Sequence, residues 1–281
     1  MTRQIITQEI LHSFQYYLKE EEKSEATIEK YMRDIQAFVC FVADQVVTKE
    51  LVIQYKQKLQ NEGYKVRSVN SMLASINSLF SYLGWYDCKV KSLRVQQEIF
   101  RPEEKELTKA EYTRLVNAAK RGGNERLCLI LQTICGTGIR VSELKFVTIE
   151  AVRKGRMVVS CKAKTRTVFI VKELQRKLIE YAKTRNIRAG SIFITRTGNP
   201  VSRINIWKDM KKLCEAANVN PSKVFPHNLR HLFARVFYAI EKDIAQLADV
   251  LGHSSINTTR IYILSTGEEH YRRMEQMRLV I

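Results

Sequence analysis

Leu251-Gly252-His253-Ser254-Ser255-Ile256-Asn257-Thr258-Thr259-Arg260-Ile261-Tyr262 is the stretch on which the reading of this chain turns. It ends one helix at a glycine, the residue that adopts a left-handed helix stop without strain, exposes a histidine, and starts a second helix carrying a tyrosine. Alone it says little. Tyr262 is one of 12 tyrosines, most of which in any protein are half-buried packing residues, and the helix-turn-helix-like pattern from Asp243 to Thr259 recurs nowhere else in the chain.

Two stretches upstream give it meaning. Cys135-Gly136-Thr137-Gly138-Ile139-Arg140-Val141-Ser142-Glu143-Leu144 sets an arginine after a glycine turn as a helix begins, where free backbone N–H groups and the helix dipole favour an anion. Pro226-His227-Asn228-Leu229-Arg230-His231 repeats the theme: proline suits a first helical turn, and His227 and Arg230, three apart, share one face. Each arginine alone would pass for a surface residue. The ordered series of three is specific.

The chain around these motifs has 281 residues, enough for two domains with their own cores. With 45% hydrophobic and 27% charged residues, and only 11 Gly and 4 Pro, it is globular and favours helix. No apolar run reaches the roughly 18 residues that span a bilayer, and Met1 to Ile10 lacks a signal-peptide core. The expectation is a cytoplasmic protein. Six dispersed cysteines with no C-x-x-C pair suggest neither a disulfide framework nor a zinc site. Charge is the broad functional clue: 47 basic against 29 acidic residues give a net +18, which attracts polyanions. Residues 1–100 carry 13 basic and 12 acidic residues, so the excess lies in the rest.

Residues 1–98 read as helical. Ile28, Tyr31, Ile35, Phe38 and Val42 recur at helical spacing after a Ser24 to Thr27 start, and Ser68 is a fitting cap for a second helix, Val69 to Leu83, that Gly84 ends. Lys65 and Arg67 stand just before that second helix. The polar stretch 99–106, with Pro102, reads as a linker, and 107–281 as a second domain opening at Thr108, whose capping partner is Glu111. Within it, Leu127 to Ile134 is a helix. Arg156–Ser160 and Arg166–Val171 are β-branched runs that make a hairpin with a charged tip. Tyr271, Met274 and Met277 form an apolar stripe near the end.

The set T-G-I-R-V-S-E-L, P-H-N-L-R-H and L-G-H-S-S-I-N-T-T-R-I-Y closely resembles the tyrosine recombinase, or phage integrase, family, and Thr27 to Phe38 resembles the helical core-binding domain that precedes its catalytic domain. The resemblance covers nearly the whole chain. It implies a mainly α fold with a small β-sheet: a helical, SAM-like core-binding domain and a mixed α+β catalytic domain shared with type IB topoisomerases, the two gripping opposite faces of the duplex.

By position, the resemblance makes Arg140 and Arg230 the holders of the scissile phosphate, His227 and His253 its hydrogen-bonding partners, and Tyr262 the nucleophile. Physical chemistry agrees, because forked, permanently charged guanidiniums neutralise the charge that builds on two non-bridging oxygens without a metal. Tyrosine, with a reference pKa of about 10, needs its proton taken by His227 or by the phosphate. The family places the general acid on a lysine in the hairpin. Here the usual G-K-G tip has become Cys161-Lys162-Ala163, which makes Lys162 the choice and Lys164 the alternative. Glu143 is an orienting partner of the arginine or a helix cap, and His231 a supporting or structural residue. Lys65, Arg67, Lys164 and Arg166 are expected on DNA. No metal or other cofactor is called for.

The expected partner is double-stranded DNA at specific recombination sites, bound by a chain that assembles into a tetramer on paired sites in the nucleoid. The outcome would be integration, excision, inversion or resolution, in a cell or a mobile element. A start at Met1 so close to the core-binding helices points to a simple, Xer-like enzyme without an arm-binding domain. Two other readings compete: a relaxing topoisomerase with the same chemistry, and a DNA-binding regulator that keeps the fold without activity.

Overall fold

The computed structural model describes residues 4–43, 45–95, 103–161, 164–263 and 267–278, and the chain divides into two compact units, Met1–Gln97 and Glu98–Ile281. Both are mainly helical, and among the described residues the one sheet has two strands.

The first unit is four helices: α1 (Gln8–Glu20), α2 (Glu25–Val42), α3 (Lys49–Asn61) and α4 (Val66–Leu83). The α2 stripe behaves as its spacing predicts. Ile28, Ile35, Phe38 and Val42 are buried and Tyr31 partly so. Phe38 is the hub, edge-on to Tyr55 on α3 at 5.1 Å and to Phe80 on α4 at 6.1 Å between ring centroids. Helix α4 begins three residues before the expected Val69. Lys65 takes the extended cap position without a side-chain hydrogen bond, and its carbonyl accepts from the Ser68 and Val69 N–H groups, so Ser68 lies inside the first turn. Gly84 ends the helix at φ +72° as expected.

Buried Asp34 on α2 pairs with Lys30 at 2.8 Å and accepts from Ser75 Oγ on α4 at 3.0 Å, so its charge is partnered and the two helices are pinned together. Beside them opens a cleft of about 550 Å³ whose lining includes Lys30, Arg33, Tyr64, Arg67, Ser68 and Ser71. The irregular chain after α4 is tacked back along that helix by two of its asparagine amides. Asn70 exchanges hydrogen bonds with the Leu93 backbone at 2.9 and 2.7 Å, and Asn77 with that of Val90 at 2.9 and 3.2 Å.

The second unit opens with α5 (Lys109–Arg121), where Thr108 and Glu111 form the expected capping box. Helix α6 (Glu125–Thr137) is buried around most of its circumference, from Leu127 through Leu131 and on to Thr133, Ile134 and Thr137, because α5, α8 and α10 pack on it. A 3-10 turn (Val141–Phe146) and α7 (Ile149–Arg153) lead to β1 (Arg156–Cys161) and β2 (Lys164–Phe169), antiparallel with Met157 opposite Val168. Met157, Val159 and Val168 face the core, while Val158 and Phe169 face out. Strand β2 stops at Phe169 because Val171 is the extended cap of α8 (Lys172–Thr184).

Helices α9 (Arg203–Ala217), α10 (Pro226–Glu241), α11 (Ile244–Leu251), α12 (Ile256–Ile263) and α13 (Gly267–Met277) complete the unit. Ala234 of α10, Leu247 and Leu251 of α11 and Tyr262 of α12 close a small satellite core. Tyr271, Met274 and Met277 of α13 are exposed. Among the described residues no helix is long and apolar enough to cross a membrane.

Candidate active site

The site grows from two helix ends. Helix α6 stops at Gly138, whose φ of +66° needs glycine and whose Cβ, if present, would sit 2.4 Å from the Phe233 ring on α10. That close approach delivers Arg140, two residues on, to the foot of α10. Arg140 is the extended cap of the 3-10 turn, and Glu143 reaches back to it, accepting from its backbone N–H at 2.8 Å and from its guanidinium at 3.1 Å. Glu143 is buried and also takes a bidentate pair from Arg166 of β2, at 3.0 and 2.7 Å. Burial pushes its carboxyl pKa up, but the hydrogen bonds from Arg166 and Arg140 outweigh it and hold the pKa below the usual carboxylate value.

Arg230, one turn into α10, is 1% exposed. It donates to the Gly138 carbonyl at the end of α6 and, through Nη2, to the Leu251 carbonyl at the end of α11, 2.7 Å away. Both are helix C-termini, where carbonyls lack intrahelical partners and the dipole is negative, which is how a guanidinium so buried stays charged. Burial and the neighbouring Arg140 lower its pKa to about 10, with Tyr262 and Glu143 pulling the other way, so it remains a cation at neutral pH.

Gly252 stops α11 at φ +65°, and the turn carries His253 back onto Arg230, with Nε2 3.0 Å from Arg230 Nη2. Its other nitrogen, Nδ1, lies 2.9 Å from the hydroxyl of fully buried Thr259. Burial, then Arg230, Arg140, Arg166 and His227, depress the His253 pKa to about 4, so the ring is neutral. Tyr262, three residues beyond Thr259 on α12, is 4% exposed. Its ring lies 4.3 Å from His231, 5.3 Å from His253 and 5.8 Å from His227, and it is close enough to Arg230 to favour the charged guanidinium.

Arg140, Glu143, Arg230, His227, His231, His253 and Tyr262 therefore meet in one place. Lys162 lies outside the described residues, as does the side chain of Lys164. Lys65 and Arg67 are exposed in the first unit, Arg67 on the cleft beside α2 and α4. Arg166, expected on DNA, is clamped on Glu143 with its side chain 13% exposed and its Cδ 2.7 Å from where a Cβ on Gly252 would lie. Strand alternation predicts the face a residue takes but not its partner, which is why the sequence missed this clamp. Thr259 was missed as well. It lies inside the quoted motif, and its spacing of three before Tyr262 put it on the tyrosine's face of the helix, the one available signal.

Two family profiles match the chain: one described as phage integrase family over residues 105–269, the other as phage integrase, N-terminal SAM-like domain over residues 11–86. Tyrosine recombinase XerA of Pyrococcus horikoshii is 30% identical over 284 residues, covering 99% of this chain and 96% of that protein. Among solved structures, XerH site-specific recombinase in a pre-cleavage complex with its difH substrate superposes with a TM-score of 0.69 at 17% identity, covering 97% of this chain and 90% of that one. A lambda integrase tetramer bound to a Holliday junction gives 0.72 at 18% identity, covering 90% and 76%. At such identities the two structures speak for the fold.

Proposed function

This chain belongs to the phage integrase family, and from that premise we propose how it works as a site-specific recombinase that cuts and rejoins DNA through a covalent tyrosine. Arg140 and Arg230 hold the non-bridging oxygens of the scissile phosphate, His227 and His253 hydrogen-bond to it, and Tyr262 attacks phosphorus. A bond forms from Tyr262 Oη to phosphorus as the bond to the 5′ oxygen breaks. The phenol's proton passes to His227 or to the phosphate, and the leaving oxygen takes one from Lys162, with Lys164 the alternative. Attack by the 5′ hydroxyl of a partner duplex then reverses the step and passes the strands through a Holliday junction. Glu143 orients Arg140, and His231 packs the tyrosine.

The observation that carries this reading is Arg230. One buried guanidinium meets His253 and is held in its charged form partly by Tyr262, and its Nε–H is a buried donor with no acceptor among the described residues, suited to a phosphate oxygen. Residues 1–98 act as the core-binding domain, with Lys65 and Arg67 on DNA, residues 99–106 as linker and 107–281 as the catalytic domain. The working assembly is a tetramer on paired specific sites in cytoplasmic DNA, chromosomal or carried by a mobile element. Its supports are the exposed apolar stripe of α13 and the tetrameric precedent of lambda integrase. Neither the topoisomerase nor the inactive-regulator reading is favoured.

The test starts by selecting a bound duplex from a random-sequence library and nicking it beside the cleavage point, so that cleavage releases a short fragment and traps protein on the 3′ phosphate. The parent chain should form the adduct and Tyr262→Phe should not. An adduct with Tyr262→Phe sinks the assignment and moves it to another tyrosine, Tyr271 first.

A further inference from the structure

His253 is held between two partners of different kinds. Arginine has only donors, so the His253 Nε2 facing Arg230 Nη2 at 3.0 Å is the unprotonated nitrogen, and the ring's single proton is on Nδ1. Nδ1–H therefore donates to Thr259 Oγ1 at 2.9 Å. In this state the nitrogen turned toward the arginines offers a lone pair, the wrong polarity for the anionic phosphate that those arginines are arranged to hold. A second proton on the ring is opposed by the cations around it, Arg230, Arg140 and Arg166, which is the direction of its depressed pKa. The remaining way to turn Nε2 into a donor is to move the one proton across the ring, and that requires a partner at Nδ1 able to switch from acceptor to donor. A hydroxyl does both. Thr259 is buried, lies on the tyrosine's own helix, and meets the ring at the nitrogen concerned.

We propose that Thr259 is a positioning residue that lets His253 change tautomer, accepting from Arg230 in the free protein and donating from Nε2 to the scissile phosphate when DNA is bound. Charge and protons balance. Nδ1 gives its proton to water, Nε2 takes one from water, the Thr259 hydroxyl rotates to point its hydrogen at Nδ1, and the Arg230 Nη2–H freed from His253 turns to a phosphate oxygen. The ring is neutral before and after. Because Thr259 is three residues from Tyr262, the same bond ties the histidine's polarity to the position of the nucleophile's helix. This inference rests on the reading of His253 as a phosphate partner.

The experiment uses the full chain labelled with ¹⁵N-histidine and the selected duplex, intact, with Tyr262→Phe to stop chemistry during spectroscopy. Long-range ¹H–¹⁵N correlation should report Nδ1–H for His253 in the free protein and Nε2–H in the complex. In the otherwise native chain, Thr259→Val, which keeps the shape without the hydroxyl, should lower the single-turnover cleavage rate roughly tenfold to a hundredfold while leaving duplex affinity unchanged. Its His253 should fail to switch. Thr259→Ser should restore both the switch and the rate, which a purely packing role of the threonine methyl would not allow. The same tautomer in free and bound protein overturns the proposal, and so does a Thr259→Val chain that cleaves at the parent rate. A parent chain that switches tautomer but forms no Tyr262 adduct would sink the assigned chemistry and leave the switch standing, whereas an adduct without a switch sinks the switch alone.

Discussion

At the scale of single residues the site is ordered by one carboxylate. Glu143 is buried between two arginines that have no other acidic neighbour within ion-pairing distance among the described residues, so removing its charge leaves cations facing one another. Glu143→Gln should destabilise the second unit by about 3 kcal/mol at pH 7, the usual scale for breaking a buried pair. The pH dependence has a definite sign. The folded pKa of Glu143 is lowered, so its contribution is fully present above its unfolded value, about 4.3, and is lost as pH falls through the folded value. Denaturant unfolding of parent and variant should therefore diverge at neutral pH and converge in acid. An unchanged gap at pH 3 and 7 would show that Glu143 acts by shape alone.

At the scale of elements, α13 is the piece whose sequence and surroundings disagree. Tyr271, Met274 and Met277 recur every three residues, a spacing that makes a buried stripe, yet all three are exposed. Deleting residues 267–281 should leave affinity for one half-site nearly intact, weaken the pairing of two sites and abolish recombination, as mobility-shift and recombination assays would read it. Normal recombination by the truncated chain would mean that the stripe covers nothing. Elements were legible where a local rule sufficed: the α2 stripe, the Thr108 and Glu111 capping box, proline opening α10, and glycines closing α4 and α11. The start of α4 was not, because backbone geometry at Lys65 took the place of a side-chain cap, and the end of β2 was set by the next helix. Within the site the motifs brought the arginines, histidines and tyrosine into view. The Arg166 clamp and the Thr259 hydroxyl depend on tertiary approach, which no spacing rule encodes.

For the molecule as a whole the governing quantity is charge. A net +18 with its excess beyond residue 100 gives DNA affinity that is mostly counterion release, so it should fall steeply with salt. Arg67, exposed on the cleft beside Lys30 and Arg33, tests the first unit's share. Arg67→Ala should lower the slope of log affinity against log salt by about 1 if it neutralises a phosphate. A parental slope with altered preference among duplex sequences would instead make it a reader of bases. The anchoring of Arg230 has a different kind of consequence. Its guanidinium is held by carbonyls of Gly138 and Leu251 and by His253, so the proposed phosphate grip closes only when chain more than a hundred residues apart has folded together. A nascent or prematurely ended chain, however well its early helices form, carries no working blade. The proposed strand cleavage is thus withheld until folding of the second unit is complete.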